Sequence, residues 1–114
     1  MSPIRAIASA NGLEATRLAF EKISNGADPL AAVVEGVTLV EDDPDDLTVG
    51  YEGLPNEQGE VELDAAVMHG PTHRVGGVAG LKNVRHAARL AKLVLEQTDH
   101  ALLVGEGARA FARA

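Results

Sequence analysis

Residues 48–70 read TVGYEGLPNEQGEVELDAAVMHG, and the fold follows from how this stretch is divided. Leu47–Tyr51 is short and β-prone. Gly53, Pro55, Asn56 and Gly59 then supply turn chemistry. Beyond them the pattern alternates, with Val61, Leu63, Ala65 and Val67 on one side and Glu60, Glu62, Asp64 and Ala66 on the other. Period-two alternation after a turn-rich segment predicts a hairpin between 47–51 and 61–67, one face buried and one polar. Met68-His69-Gly70-Pro71 stops it.

Upstream, Ile4–Ala8 is an apolar run long enough for a strand, broken by Ser9-Ala10-Asn11-Gly12. Leu13, Ala15, Leu18, Ala19 and Ile23 recur at helical spacing, and Asn25-Gly26 offers the positive-φ stop that ends many helices. Asp28-Pro29 predicts the next start, Asp as N-cap and Pro at the first helical position. Leu30, Val33, Val34 and Val37 form the expected buried stripe. So short a connection sets the two helices side by side against a sheet. Downstream, His73–Gly80 predicts a strand whose glycines mark a bulge or the close approach of another backbone. Asn83 is the expected cap of a long helix with Val84, Ala87, Ala88, Ala91, Val94, Leu95 and Thr98 on one face. Ala101–Val104 is expected as a buried strand, followed by a last helical piece from Gly105.

Composition narrows the class. The 114 residues are 46% hydrophobic yet hold only one Tyr, two Phe and no Trp, so the core is built from Ala, Val and Leu. A formal net charge of −7 argues against nucleic acid or an anionic membrane as partner. No cysteine is present, which removes disulfides and thiol chemistry. No apolar run approaches the ~20 residues of a membrane span, and the expected location is the cytoplasm.

Chemistry-bearing groups are sparse. Glu41–Asp46, EDDPDD, places five acids in six positions and reads as a solvated loop. It lacks the spaced acids, central Gly and distal Glu of a calcium loop. His69 and His73 have the spacing of a helical zinc pair, but Gly70-Pro71 between them forbids the helix. They are expected as turn or packing histidines, and no metal or cofactor is expected. Gly105-Glu106-Gly107 is not a phosphate loop.

Family resemblance carries the reading further. The run VGYEGLPNEQGEVELDAAVMHG, then GGVAGLKNV and AARLAKLVLEQTDHALLVGEGARAFA, resembles the glycosylasparaginases, within the asparaginase and isoaspartyl-peptidase group of N-terminal-nucleophile hydrolases. The early ANGLEAT and NGADPLAAVVEGV segments extend the likeness over nearly the whole chain. The resemblance implies an α+β fold that is part of a four-layer αββα sandwich, made as a precursor that cuts itself once. Residues 1–114 correspond to the N-terminal, α-type half. The implied partners are a complementary β-type chain carrying an N-terminal Thr and a small amide substrate, with two αβ units forming a dimer.

In that family the Thr hydroxyl attacks the side-chain amide of asparagine or an N4-glycosyl asparagine, and its own α-amino group takes the proton. An α-amino group titrates at ~7.7–8, close enough to neutrality for the task. By the same resemblance Thr48 supplies a hydroxyl beside that amino group, where the family has Ser. Ser9, Ala10 and Asn11 occupy the substrate-lining turn, with Ala10 where some members carry Trp. Ala31 and Glu52 also depart from the family pattern, Glu52 interrupting a Gly-Gly pair. Glycosyl asparagine or a smaller amide are both open as substrate. The other class of reading is a non-catalytic module that binds a partner through an unfinished sheet edge.

Overall fold

The computed structural model describes residues 3–114 as a small α+β domain. Its elements run α1 (Leu13–Ser24), α2 (Pro29–Glu41), β1 (Leu63–His69), β2 (Arg74–Leu81), α3 (Ala87–Gln97), β3 (Leu102–Val104) and α4 (Gly105–Arg113). The strands form one sheet in the order β1-β2-β3, β1 antiparallel to β2 and β2 parallel to β3. Parallel neighbours need a crossover, and α3 provides it.

The hairpin differs from the expected one. Its strands are β1 and β2, joined by Gly70–Thr72 and a left-handed His73 at φ 55°. Residues 47–51 do not pair as a strand. The Asp46 carboxylate takes the backbone N–H groups of Thr48 and Val49, so those donors are not offered to a ladder. Gly50 then turns at φ 78° against the backbone of Glu41, where any side chain would collide. The alternation read for residues 61–67 holds: Leu63, Ala65 and Val67 turn inward and Asp64 and Ala66 outward. Near the far end of the pair the register slips, with Gly80 at φ 58° and its N–H on Asp64 Oδ1. That is the bulge which a glycine in a strand often marks.

The other expected use of glycine, close approach, occurs at Gly76. A Cβ there would run into the Ala91 carbonyl and the backbone of Leu95, so α3 lies directly on β2. Val78, Leu81, Leu90, Ala91, Val94 and Ala108 form the main core between the sheet, α3 and α4. A second cluster joins Leu30 and Val34 of α2 to Ala88 and Leu95 of α3. Arg74 closes the C-terminal end of α3 by donating to the carbonyls of Leu95 and Thr98.

Both helices of the first half begin or end as read. Gly26 stops α1 at φ 94°, and Asp28 caps α2 by accepting from Ala31 N at 3.1 Å. The buried stripe of α2 is rotated from the expected one, leaving Val33 and Val37 exposed. The cause is that α2 is packed on two sides. Leu30 and Val34 meet α3, whereas Gly36 is buried against the Ala15 backbone of α1.

Three other expectations are corrected. Ile4–Ala8 forms no strand and is exposed throughout, with Ile7 96% exposed. Asn83 does not cap α3: it sits at φ 61° in the connection, leaving Val84 outside the helix, and His86 precedes the first turn. β3 forms where expected but is not buried.

Among the described residues, those that cover the sheet lie on one side of it. Met68, Val75, Leu102 and Val104 lie on the opposite side and are between 47% and 58% exposed. Paired positions keep this surface continuous, with Met68 opposite Val75, Ala66 opposite Gly77, and Gly77 beside Leu102. Among the described residues no helix is long and apolar enough to cross a membrane.

Candidate functional site

The residues singled out at Ser9–Asn11 and Thr48 come together, and the residue that gathers them is Asp46. A short 3-10 turn, Ala10–Gly12, leads into α1 and projects Asn11 towards the loop that follows α2. Gly12 is needed at its base, where a side chain would strike Ala8. Asn11 Nδ2 donates to Asp46 Oδ2 at 2.9 Å, and Ser9 Oγ donates to Asn11 Oδ1 at 2.6 Å. From the other side Thr48 Oγ1 donates to Asp46 Oδ1 at 2.6 Å, reinforced by the backbone N–H of Thr48 at 2.8 Å and of Val49 at 3.1 Å. Asn11 Nδ2 and Thr48 Oγ1 are 3.4 Å apart. Asn11, the Thr48 hydroxyl and two backbone N–H groups thus converge on one carboxylate, with Ser9 holding Asn11 from behind.

The electrostatics follow. Hydrogen bonds from the Thr48 hydroxyl, then Asn11, then the Thr48 backbone hold the Asp46 carboxyl down at about 2. It is therefore an anion throughout the neutral range. Because the Thr48 proton is committed to Asp46, the oxygen's free lone pairs can only accept. A group with N–H bonds to give, such as an amine or ammonium, is what this oxygen can receive.

Asp46 was hidden in the acidic run. The signal that could have found it is local: an Asp two residues before a Thr commonly folds its carboxylate back onto the backbone ahead. The run is not uniformly solvated either. Glu41 is only 3% exposed, and its Oε2 accepts from Ala88 N at 3.0 Å, closing the first turn of α3. Among the described residues its Oε1 has no partner, and burial pushes the carboxyl above its usual range against the opposing Ala88 hydrogen bond. Asp42 meets His86 at 2.9 Å. Arg85 stacks over Tyr51, 4.1 Å from the ring centre, beside a cleft of about 700 Å³ that Lys82 and Asn83 also line.

The histidines are separated in use. His69 lies between Asp28 Oδ1 at 3.1 Å and Thr72 Oγ1 at 2.8 Å, tying the hairpin turn to the start of α2. His73 is the left-handed residue of that turn. Among the described residues no three His, Cys, Asp or Glu side chains converge as a metal site would require. Ala10 and Glu52 are both exposed, and Ala31 is half-buried on α2.

The chain as a whole is similar to known proteins. Residues 2–114 match the family model described as Asparaginase. A probable isoaspartyl peptidase/L-asparaginase 3 from Arabidopsis thaliana is 47% identical over 100 residues, covering 88% of this chain and 28% of the relative. An N(4)-(beta-N-acetylglucosaminyl)-L-asparaginase from Elizabethkingia miricola is 43% identical over 101 residues, 89% of this chain and 29% of the relative. A putative enzyme of the same name from Drosophila melanogaster is 53% identical over 83 residues, 73% and 21% respectively. The chain belongs to the asparaginase family. It spans less than a third of the length of these relatives.

Proposed function

We propose that this chain is the α-type segment of an amidohydrolase that cleaves the side-chain amide of asparagine or of an N4-glycosyl asparagine. The observation that carries the reading is the family match over residues 2–114. In this reading a second chain, released by self-cleavage of a common precursor, brings an N-terminal Thr to the Thr48 hydroxyl. That hydroxyl accepts a hydrogen bond from the α-amino group and turns its lone pair towards the attacking oxygen. The Ser9–Asn11 turn lines the substrate, and Ala10 leaves room above it. The uncovered sheet face supports the four-layer arrangement, since an apolar surface of this kind is suited to a second sheet. Two such αβ units form the assembled enzyme.

The test is to produce residues 1–114 together with the sequence that continues them, or with a companion chain carrying the Thr. Mass spectrometry is expected to find a new N-terminal Thr. Aspartate is expected to form from asparagine or from N4-(β-N-acetylglucosaminyl)-asparagine. An uncut product that hydrolyses neither substrate would refute the enzyme reading.

A further inference from the structure

Resting on that proposed function, we infer that Asp46 is the positioning residue of the site, through which Thr48 and the substrate-lining turn are set as one unit. Asp46 touches neither substrate nor nucleophile in this arrangement. It acts through the groups that do. One oxygen, Oδ1, takes the Thr48 hydroxyl proton and leaves the Thr48 oxygen as a pure acceptor. The other, Oδ2, takes Asn11 Nδ2 and thereby fixes the turn that carries Ala10. Two segments distant in sequence are thus held in register by the two oxygens of one side chain.

The charge matters as much as the geometry. An ammonium held on Thr48 Oγ1 would lie one hydroxyl away from a carboxylate that is ionised throughout the neutral range. Opposite charge at that distance favours the protonated amine and raises its pKa. Asp46 therefore makes the α-amino group a stronger base, at the expense of keeping it protonated further up the pH scale. The neighbouring charges are Asp43 and Asp45 on the same loop and Asp42, which is engaged with His86. The turn that faces Asp46 contributes only the uncharged Ser9 and Asn11.

The experiment uses the self-cleaved, assembled enzyme with its hydrolysed asparagine substrate. Asp46→Asn is expected to lower kcat by ~10–100-fold, the scale of one lost positioning hydrogen bond. It is also expected to move the acid limb of the kcat/KM profile to lower pH, a shift that a merely structural role would not produce. Asp45→Asn, which removes the same charge from the same loop, should leave both unchanged. In a Thr48→Val background, Asp46→Asn should cost less than it does in wild type, because only its hold on Asn11 remains to be lost. If Asp46→Asn does not fold or process itself, Asp46→Glu carries the test. It retains the charge and so the acid limb, but displaces the acceptor and loses kcat. An active wild type with unchanged kcat and acid limb in Asp46→Asn overturns the inference, as does wild-type kcat in Asp46→Glu. Equal shifts in Asp46→Asn and Asp45→Asn would also overturn it, reducing the effect to general charge. A wild type that hydrolyses no amide refutes the proposed function instead.

Discussion

The two faces of the sheet have similar chemistry and opposite fates. One carries Ala65, Val67 and Val78 and is closed by α3 and α4. The other carries Met68, Val75, Leu102 and Val104 and is open. Composition separates them little, since both are largely apolar, with Asp64 on the open side. What separates them is fit: Gly76 lets a helix backbone settle on the covered side, and none of the described residues lies over the other. Hydrophobic content thus says how much surface needs a neighbour, and the small residues say where this chain supplies one.

That contrast can be broken first at Gly76. Gly76→Val would drive a branched side chain into the Ala91 carbonyl, where backbone rather than a flexible side chain must yield. The expected outcome is loss of the folded domain, read as lost soluble yield and an absent cooperative melt. Leu81→Ala is the next largest change. Leu81 is fully buried in the main core, so deletion should cost about 2–5 kcal/mol in urea denaturation of the assembled protein.

Two carboxylates sharpen the contrast between buried and open surroundings. Glu41 is raised by burial, so the folded protein keeps its proton to higher pH than the unfolded chain does. Its ionisation removes stability as pH rises from the unfolded value, ~4.3, through the folded one. Glu41→Gln should therefore gain on wild type in melting temperature between pH 4 and pH 7. Asp46 has the opposite sign. Its carboxyl is held at about 2 by hydrogen bonds, so its contribution is present above the unfolded value and is lost as pH falls towards 2. Asp46→Asn should thus lose most against wild type at neutral pH and converge with it in acid.

The smallest effect belongs to the open face, and it is the most informative. Met68→Ser and Leu102→Ser should each change the stability of residues 1–114 by less than about 0.5 kcal/mol, as exposed substitutions do. In the assembled protein a covering layer would raise each cost to about 1.5–3 kcal/mol, the value of burying such a side chain. Equal small effects in both settings would show that the face stays uncovered.

How far the sequence could be read depended on whether a signal was local. Asp28-Pro29 and Asn25-Gly26 act within one turn, and they placed the ends of α1 and α2 correctly. The alternation of Leu63, Ala65 and Val67 likewise identified an amphipathic strand. Pairing was not legible, because the β-prone Leu47–Tyr51 loses backbone donors to the side chain of Asp46 immediately before it. Nor could periodicity reveal that α2 is packed on two sides, since Gly36 carries no hydrophobic signal and is buried by contact with Ala15. For the site, Ser9, Asn11 and Thr48 entered through family resemblance. Their link, Asp46, was masked by four other acids in the same run.

The hydrogen bond from Asn11 to Asp46 joins points 35 residues apart, and everything between them is α1, α2 and their connections. The chain is thereby drawn into a noose, with the candidate site as its knot. Such a closure belongs to the local opening unit that it ties, and not to the sheet beside it. In amide hydrogen exchange, Thr48 and Val49 therefore report on the helical noose, their N–H groups becoming labile when α1 and α2 loosen. The buried amides of β2 exchange on the slower clock of the core.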